Sequence, residues 1–338
     1  MNKQALAYLI LSFLSGILEL GMILLVINER IPLYYIPILG LAYQIGPLFK
    51  NPILLPSKFY LLAIVITLIL SILPNKLTGS FFISILLLSV GLQGMRELAL
   101  DGQEVSTFKK RLSRICGFIG APLFICHLIT IVSVCALLTT LLIQRRIWEY
   151  GALCFNNNLK PDALSFVMVI HQSHYFSYAY FIPYLFILLL GVNLVYAGLV
   201  FAIGWISYSA ANVIFGKKHP KISLFLGHLL ASTMLASIFY YSNHLEISLL
   251  AWFMCGFGGG TVYCIRALQR GMRSSSDLEL WENIGHNMGL FISLIGVFLL
   301  REFTFTFVFG SILAATTALL ALFLRPATVQ IQAFNISS

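Results

Sequence analysis

The chain has 338 residues, of which 59% are hydrophobic and 10% charged, and its formal net charge is +9. Its mean hydropathy is +0.92. A soluble domain carries about 25% charged residues, so this composition excludes a water-soluble fold for most of the chain. The basic residues stand in short segments between apolar runs, which argues for membrane topology and against a nucleic-acid partner.

Eleven apolar runs follow one another: Ala5–Ile27, Ile31–Phe49, Tyr60–Leu73, Ser80–Leu98, Gly117–Ile143, Ala163–Leu190, Val192–Phe215, Ile222–Tyr241, Ile247–Ile265, Ile284–Leu300 and Phe303–Leu324. A bilayer core takes about 20 apolar residues per helix. Continuous runs without alternation predict helices rather than barrel strands, so the expected class is an all-α polytopic membrane protein. The first run is too long for a signal-peptide core and has no small-residue cleavage site, and it reads as the first span. The fifth is long for one helix and short for two. The six cysteines show no CxxC spacing, and the five that lie in or beside apolar runs read as small buried hydrophobes.

Lys/Arg placement sets the orientation. With the N-terminus in the cytoplasm and sides alternating, the inner segments carry Lys3, Lys50, Lys58, Arg96, Lys109, Lys110, Arg111, Arg114, Lys217, Lys218, Lys221, Arg266, Arg270, Arg273 and Arg325. The outer segments carry Arg30, Lys76 and Arg301. This bias requires an even number of spans before Ala163, and so a compressed or partly re-entrant sixth span near Ile131–Ile143. Twelve spans are expected, with eleven as the alternative, and both termini cytoplasmic.

The chain also aligns with itself at a shift of about 163 to 170 residues. Ser57-Lys58 falls on Pro220-Lys221, Met95-Arg96-Glu97-Leu98 on Ile265-Arg266-Ala267-Leu268, and Gly117 on Gly285, each glycine opening a span. Two parallel six-helix halves are expected, 1–144 and 163–325, joined by a polar linker at 145–162 and followed by a tail at 326–338.

Two six-helix halves with cytoplasmic termini and a central linker resemble a transporter of the major facilitator superfamily over nearly the whole chain. The loop Gly46 to Lys58 (GPLFKNPILLPSK) and its counterpart Phe215-Gly216-Lys217-Lys218-His219-Pro220-Lys221 keep the family's glycine and basic residues there but lack its aspartate. The resemblance implies alternating access, with two halves rocking around a midplane site.

Ionisable groups inside a span are costly and therefore candidates for function. Eleven of the twelve carboxylates lie in loops or at span ends, and the exception is Glu19. A carboxyl in low dielectric can exchange a proton as its access alternates, which makes Glu19 the expected coupling residue. The densest polar stretch runs from His171 to Tyr180 and on into Pro183-Tyr184. Helical spacing puts His171, His174, Tyr175 and Tyr178 on one face, as candidates, with Tyr184, for solute or proton handling; an interfacial aromatic belt is the alternative. Tyr43, Gln44, Asn193, Asn212 and Tyr263 are further polar positions for a cavity wall. Arg96 and Arg266, at matching places in the halves, and Glu282, in the first turn of a helix, are candidates for gating or ion pairing. No carboxylate or thiolate follows the two histidines at ligand spacing, so neither a metal site nor a cofactor is expected. Glycines 256 and 258–260 have no GK[ST] after them and serve close helix packing.

These features point to a secondary, proton-coupled transporter of a small organic solute, with the solute, protons and the lipid bilayer as partners. A monomer in a bacterial inner membrane is expected. Aromatic, weakly charged lining residues favour drugs or metal-chelating metabolites over sugars, and uptake and efflux are equally open. The converging set an enzyme needs is missing. An intramembrane acyltransferase and a non-transporting receptor derived from a transporter stay open as alternatives.

Overall fold

In a computed structural model of the chain, the structure describes residues 2–50, 53–54, 57–72, 78–100, 105–144, 147, 154–155, 162–215, 219–265 and 275–324. The helices are α1 (Lys3–Asn28), α2 (Tyr35–Lys50), α3 (Ser57–Ile72), α4 (Thr78–Leu100), α5 (Thr107–Gly120), α6 (Leu128–Thr140), α7 (Ala163–Tyr178), α8 (Ala197–Ile214), α9 (Pro220–Tyr240), α10 (Leu245–Gly259), α11 (Ser275–Leu300) and α12 (Phe305–Phe323). Among the described residues eight stretches are long and apolar enough to cross a bilayer, and α2 and α3 are shorter apolar helices. Arg266 and the tail lie outside the described residues.

The ambiguous fifth run resolves into two crossings. One helical stretch of 33 residues runs from Phe108 to Thr140, but a 3-10 segment, Ala121–His127, interrupts it. At its end His127 leaves helical geometry (φ −131°, ψ 30°). Ser71 at the end of α3 meets Thr130 at 3.1 Å, whereas Ser57 at the start of α3 donates to the carbonyl of Ile147. Seven residues reach at most about 25 Å, too little to return from the far end of a straight helix. The chain therefore turns back at Ala121–His127, and α6 descends along α3. Among the described residues the chain crosses the bundle twelve times. The fifth crossing begins at Thr107 rather than Gly117, so Arg114 belongs to a helix interior and not to a loop.

The packing repeats between the halves: α1 lies on α5 and α6, α3 on α6, and correspondingly α7 lies on α11 and α12, α9 on α12. The first and seventh crossings also end alike. Arg30 (φ 51°) and Gly191 (φ 68°) adopt left-handed geometry, and the following N–H groups reach back to Val26 and Phe186 carbonyls at 2.9 and 2.8 Å. Gly117 and Gly285 do not open their helices but sit inside them at close crossings. A Cβ on Gly117 would lie 2.2 Å from the Phe13 carbonyl oxygen, and one on Gly285 would lie 2.6 Å from that of Val169. Small residues let helix backbones approach where the apolar solvent supplies no hydrophobic drive. A two-stranded ribbon, β1 (Ile53–Leu54) with β2 (Cys154–Phe155), ties the central linker to the α2–α3 loop.

Pro183 lies in the seventh crossing, where α7 gives way to a 3-10 turn at Ala179–Phe181, a single α-turn at Ile182–Tyr184 and a π-turn at Leu185–Leu189. A proline removes one helical donor and crowds the preceding turn. The break sets the angle at which Tyr180 meets the first half.

Gly117→Ala is expected to destabilise the protein by ~1–3 kcal/mol through overpacking. Gly79→Ala, where nothing lies within 4 Å, is expected to be neutral. Thermal unfolding of both variants in detergent tests the pair, and equal melting temperatures would refute the close-crossing account.

Candidate functional site

Between the halves lies a cavity of about 800 Å³. Its wall on the first half carries Tyr8 and Ser12 of α1, Tyr43 and Gln44 of α2, Gln93, Arg96 and Glu97 of α4, and Lys110, Arg111 and Arg114 of α5. Facing them are Gln172, Tyr175 and Phe176 of α7, Trp205 and Tyr208 of α8, Tyr263, and Glu279, Glu282, Asn283 and His286 of α11. Leu100, Lys110, Tyr263 and Leu278 lie near helix ends on the face where α1 begins and α12 ends, so the cavity opens there. Among the described residues the charges are polarised: four cations and one carboxylate line the first half, and two carboxylates with no Lys or Arg line the second.

At the inner end of the cavity Arg114 meets Glu19. Glu19 lies about 24 Å along α1 from Lys3 at 1.5 Å per residue and is 1% exposed. Arg114 Nη2 and Nε donate to Glu19 Oε2 at 2.6 and 3.1 Å. The guanidinium side chain keeps 24% exposure and lies over Trp205 at 5.2 Å and Phe118 at 6.0 Å from the ring centroids. The other carboxylate oxygen, Oε1, accepts from Tyr180 Oη at 3.0 Å. Tyr180 in turn accepts from Gln44 Nε2 at 2.9 Å. Asn287 Nδ2 of α11 donates to the Gln44 carbonyl at 3.2 Å, and Gly40 packs against Tyr180 and Leu290. Glu19 and Gln44 belong to the first half, Tyr180, Asn287 and Leu290 to the second. The halves are thus bonded to each other beyond the cavity, toward the side where α1 ends and α12 begins.

The sequence candidates divide. Tyr43, Gln44, Tyr175, Tyr263, Arg96 and Glu282 line the cavity, and Glu19 stands directly behind Arg114. Tyr43 donates to the Ser15 carbonyl at 3.2 Å, and Arg111 lies 4.2 Å over the Tyr263 ring. His171, His174 and Tyr178 do not reach the cavity. The turn of α7 that faces it is Gln172–Tyr175–Phe176, and the histidines point instead to His228 of α9, while Tyr178 packs on Trp252 and Phe307 and meets Cys255 Sγ at 2.9 Å. The expected four-residue face fails because 3.6 residues per turn spread four consecutive contacts over two neighbouring helices. Tyr184 stands beyond the break at Pro183, edge-on to Phe303 at 4.9 Å. Asn193 caps the turn before α8 by accepting from Val195 N–H at 3.0 Å.

Sequence reasoning did not find Arg114, Tyr180, Trp205 or His286 as site residues. In the sequence Arg114 reads as a loop charge within KKRLSR. A period-3.6 reading of Phe108, Leu112, Ile115 and Ile119 would have extended the helix back to include it. His286 meets Gln172 Oε1 at 3.1 Å and lies 4.1 Å from the Phe176 ring.

No family model and no curated protein sequence matches the chain. Solved structures do. The human organic anion transporter MFSD10 (TETRAN) aligns with TM-score 0.54 and 11% identity over 94% of this chain and 99% of its own. A bacterial homologue of the iron transporter ferroportin, in an outward-facing state, aligns with TM-score 0.62 and 10% identity over 95% and 98%. A bacterial homologue of the human lysosomal transporter Spinster, inward-facing and occupied, aligns with TM-score 0.62 and 12% identity over 94% and 95%. The chain shares the fold of these solved transporters, two pseudo-symmetric six-helix halves, in a multi-pass membrane protein. The outward- and inward-facing neighbours score alike, so the state is read from the cavity.

Removing one partner of a buried ion pair strands the other. Arg114→Met is expected to cost about 3 kcal/mol, and Glu19→Gln added to it should recover most of that loss. Chemical unfolding of the two single variants and the double variant measures the coupling. Additive losses would show that the pair does not act as a unit.

Proposed function

We propose that this chain is a secondary transporter of a small organic solute that works by alternating access of the halves 1–144 and 163–325 and couples to protons at Glu19. The observation that carries this reading is the arrangement just described: an enclosed space open on one side, and hydrogen bonds between the halves on the other side that end on a carboxylate. With the termini cytoplasmic, as the Lys/Arg bias supports, the cavity faces inward. A bacterial inner membrane suits the short loops.

Glu19 and a solute anion compete for the same guanidinium. While Glu19 is ionised it occupies Arg114 and accepts from Tyr180, which holds the outer side shut. A proton on Glu19 weakens both contacts at once: Arg114 is released toward the cavity, and the bond that joins α1 to the seventh crossing loses its charged acceptor. Solute and proton occupancy are linked through one residue, as coupling requires. The lining suits an amphiphilic aromatic solute. An anionic group fits beside Arg114, Arg111 and Arg96, rings stack on Trp205, Tyr175 and Tyr208, and a cationic group fits near Glu279 and Glu282. This class includes drugs and metal-chelating metabolites and agrees with the organic-anion description of one fold neighbour. An acyltransferase reading loses support because His171 and His174 do not face the cavity.

The test is proton movement into liposomes containing the purified protein while amphiphilic aromatic anions and zwitterions are offered. Solute-driven proton flux is expected in the wild type and should fall at least about tenfold in Glu19→Gln, the loss of a single coupling group. Flux unchanged in Glu19→Gln would remove Glu19 from the coupling path.

Tyr180→Phe deletes a hydrogen bond to a charged acceptor, worth ~1.5–3 kcal/mol. It should raise the outward-open fraction roughly tenfold or more. The distance between spin labels at positions 29 and 195, measured by double electron–electron resonance, reports this fraction. An unaltered distance distribution would show that Tyr180 does not hold the outer side closed.

A further inference from the structure

Away from the cavity, inside the second half, three imidazoles converge. His171 and His174 stand one turn apart on α7, and His228 faces them from α9. All three are fully buried, and their candidate ligand nitrogens lie within 4.8 Å of one another. His228 Nδ1 is 2.9 Å from the Leu224 carbonyl. A carbonyl only accepts, so Nδ1 carries the proton, and Nε2 of His228 presents its lone pair to the other two rings. A backbone carbonyl that fixes the tautomer in this way is the usual outer support of a metal-binding histidine. His171 Nδ1 lies 2.6 Å from that lone pair. Among the described residues neither ring nitrogen of His174 reaches a hydrogen-bond partner of acceptable geometry, although buried polar atoms are nearly always partnered.

We propose that His171, His174 and His228 form a binding site for a transition-metal cation, with Zn(II) the representative ion. Imidazole is a preferred ligand for such ions, and three histidines with one small exogenous ligand make a complete tetrahedral set. Metal–nitrogen bonds of about 2.0–2.1 Å place the ligand atoms roughly 3.4 Å apart. The present separations bracket that value, so side-chain rotation without a change of fold forms the site. Metal binding takes the lone pair of His228 Nε2, and if it takes His171 Nδ1 the proton there moves to Nε2 of the same ring. The three ligands are neutral, so the fourth position favours hydroxide, which lowers the net charge in the helix bundle. The ion would clamp α7 to α9 within one half. None of the three histidines lines the cavity that Gln172, Tyr175 and Phe176 face, and the proposal is therefore independent of the solute path.

The full chain, carrying an affinity tag without histidine, is stripped with a chelator in nanodiscs, equilibrated with Zn(II) and its metal counted by mass spectrometry. About one Zn(II) per chain is expected, lost in both His174→Ala and His228→Ala and kept in His286→Ala, which alters the cavity instead. Zn(II) should also raise the melting temperature of the wild type but not of the two cluster variants. Substoichiometric metal in the wild type, or retention by cluster variants that melt like the metal-free wild type, would overturn the proposal. Co(II) added to the unmodified protein decides the matter even where a variant fails to fold. Intense tetrahedral d–d bands support the site, and the weak bands of the solvated ion refute it.

Discussion

A carboxylate set about 24 Å along a membrane helix has few ways to persist, and Glu19 does so through Arg114. Moving either charge alone into a low-dielectric interior costs several kcal/mol even after relaxation. The rest of the central architecture follows from the need to keep the two together. The α1–α5 crossing must be close, which Gly16 and Gly117 permit: a Cβ on either would strike backbone of the opposite helix. Arg114 must also be held at its side, and Trp205 and Phe118 bracket it. The second carboxylate oxygen needs a donor, and the donor is Tyr180 from the other half.

That last bond turns a stability requirement into a mechanical one. On the closed side of the cavity, the described residues join the halves by hydrogen bonds from Tyr180 to Glu19, Gln44 to Tyr180, and Asn287 to the Gln44 carbonyl, beside apolar contacts of Leu290 on Gly40 and Phe118 on Phe201. Each hydrogen bond is worth about 1–3 kcal/mol net at most, so a change of charge on one carboxylate is commensurate with the energy that separates two states of a carrier. Within each half, helices meet through glycines and small residues at backbone contact, and those interfaces do not yield piecemeal. A seam that includes a charge-sensitive hydrogen bond suits the proposed rocking motion.

The seventh crossing serves two environments. Its cavity side presents Gln172, Tyr175 and Phe176, and its bundle side presents His171, His174 and Tyr178. The break at Pro183 then delivers Tyr180 to the first half. Polar residues that form one dense sequence cluster thereby separate into three structural roles.

Span count, helical class, the two-half organisation and the single mid-span carboxylate were all legible in the sequence, because each rests on hydropathy and charge, which act locally along the chain. The need for an even number of spans before Ala163 also came from charge alone, and the turn at Ala121–His127 satisfies it. What the sequence could not supply was partnership. Arg114 sits in a run of basic residues that reads as a loop, and only the α1–α5 crossing, 95 residues apart in the chain, reveals it as the counter-ion. His228 stands 57 residues from His171, and Tyr180 161 residues from Glu19. Which face of α7 meets the cavity was likewise undecided by helical spacing, since a helix buried on all sides carries no polar stripe to mark its orientation. Local chemistry determined which groups are expensive to bury; helix packing decided which of them meet.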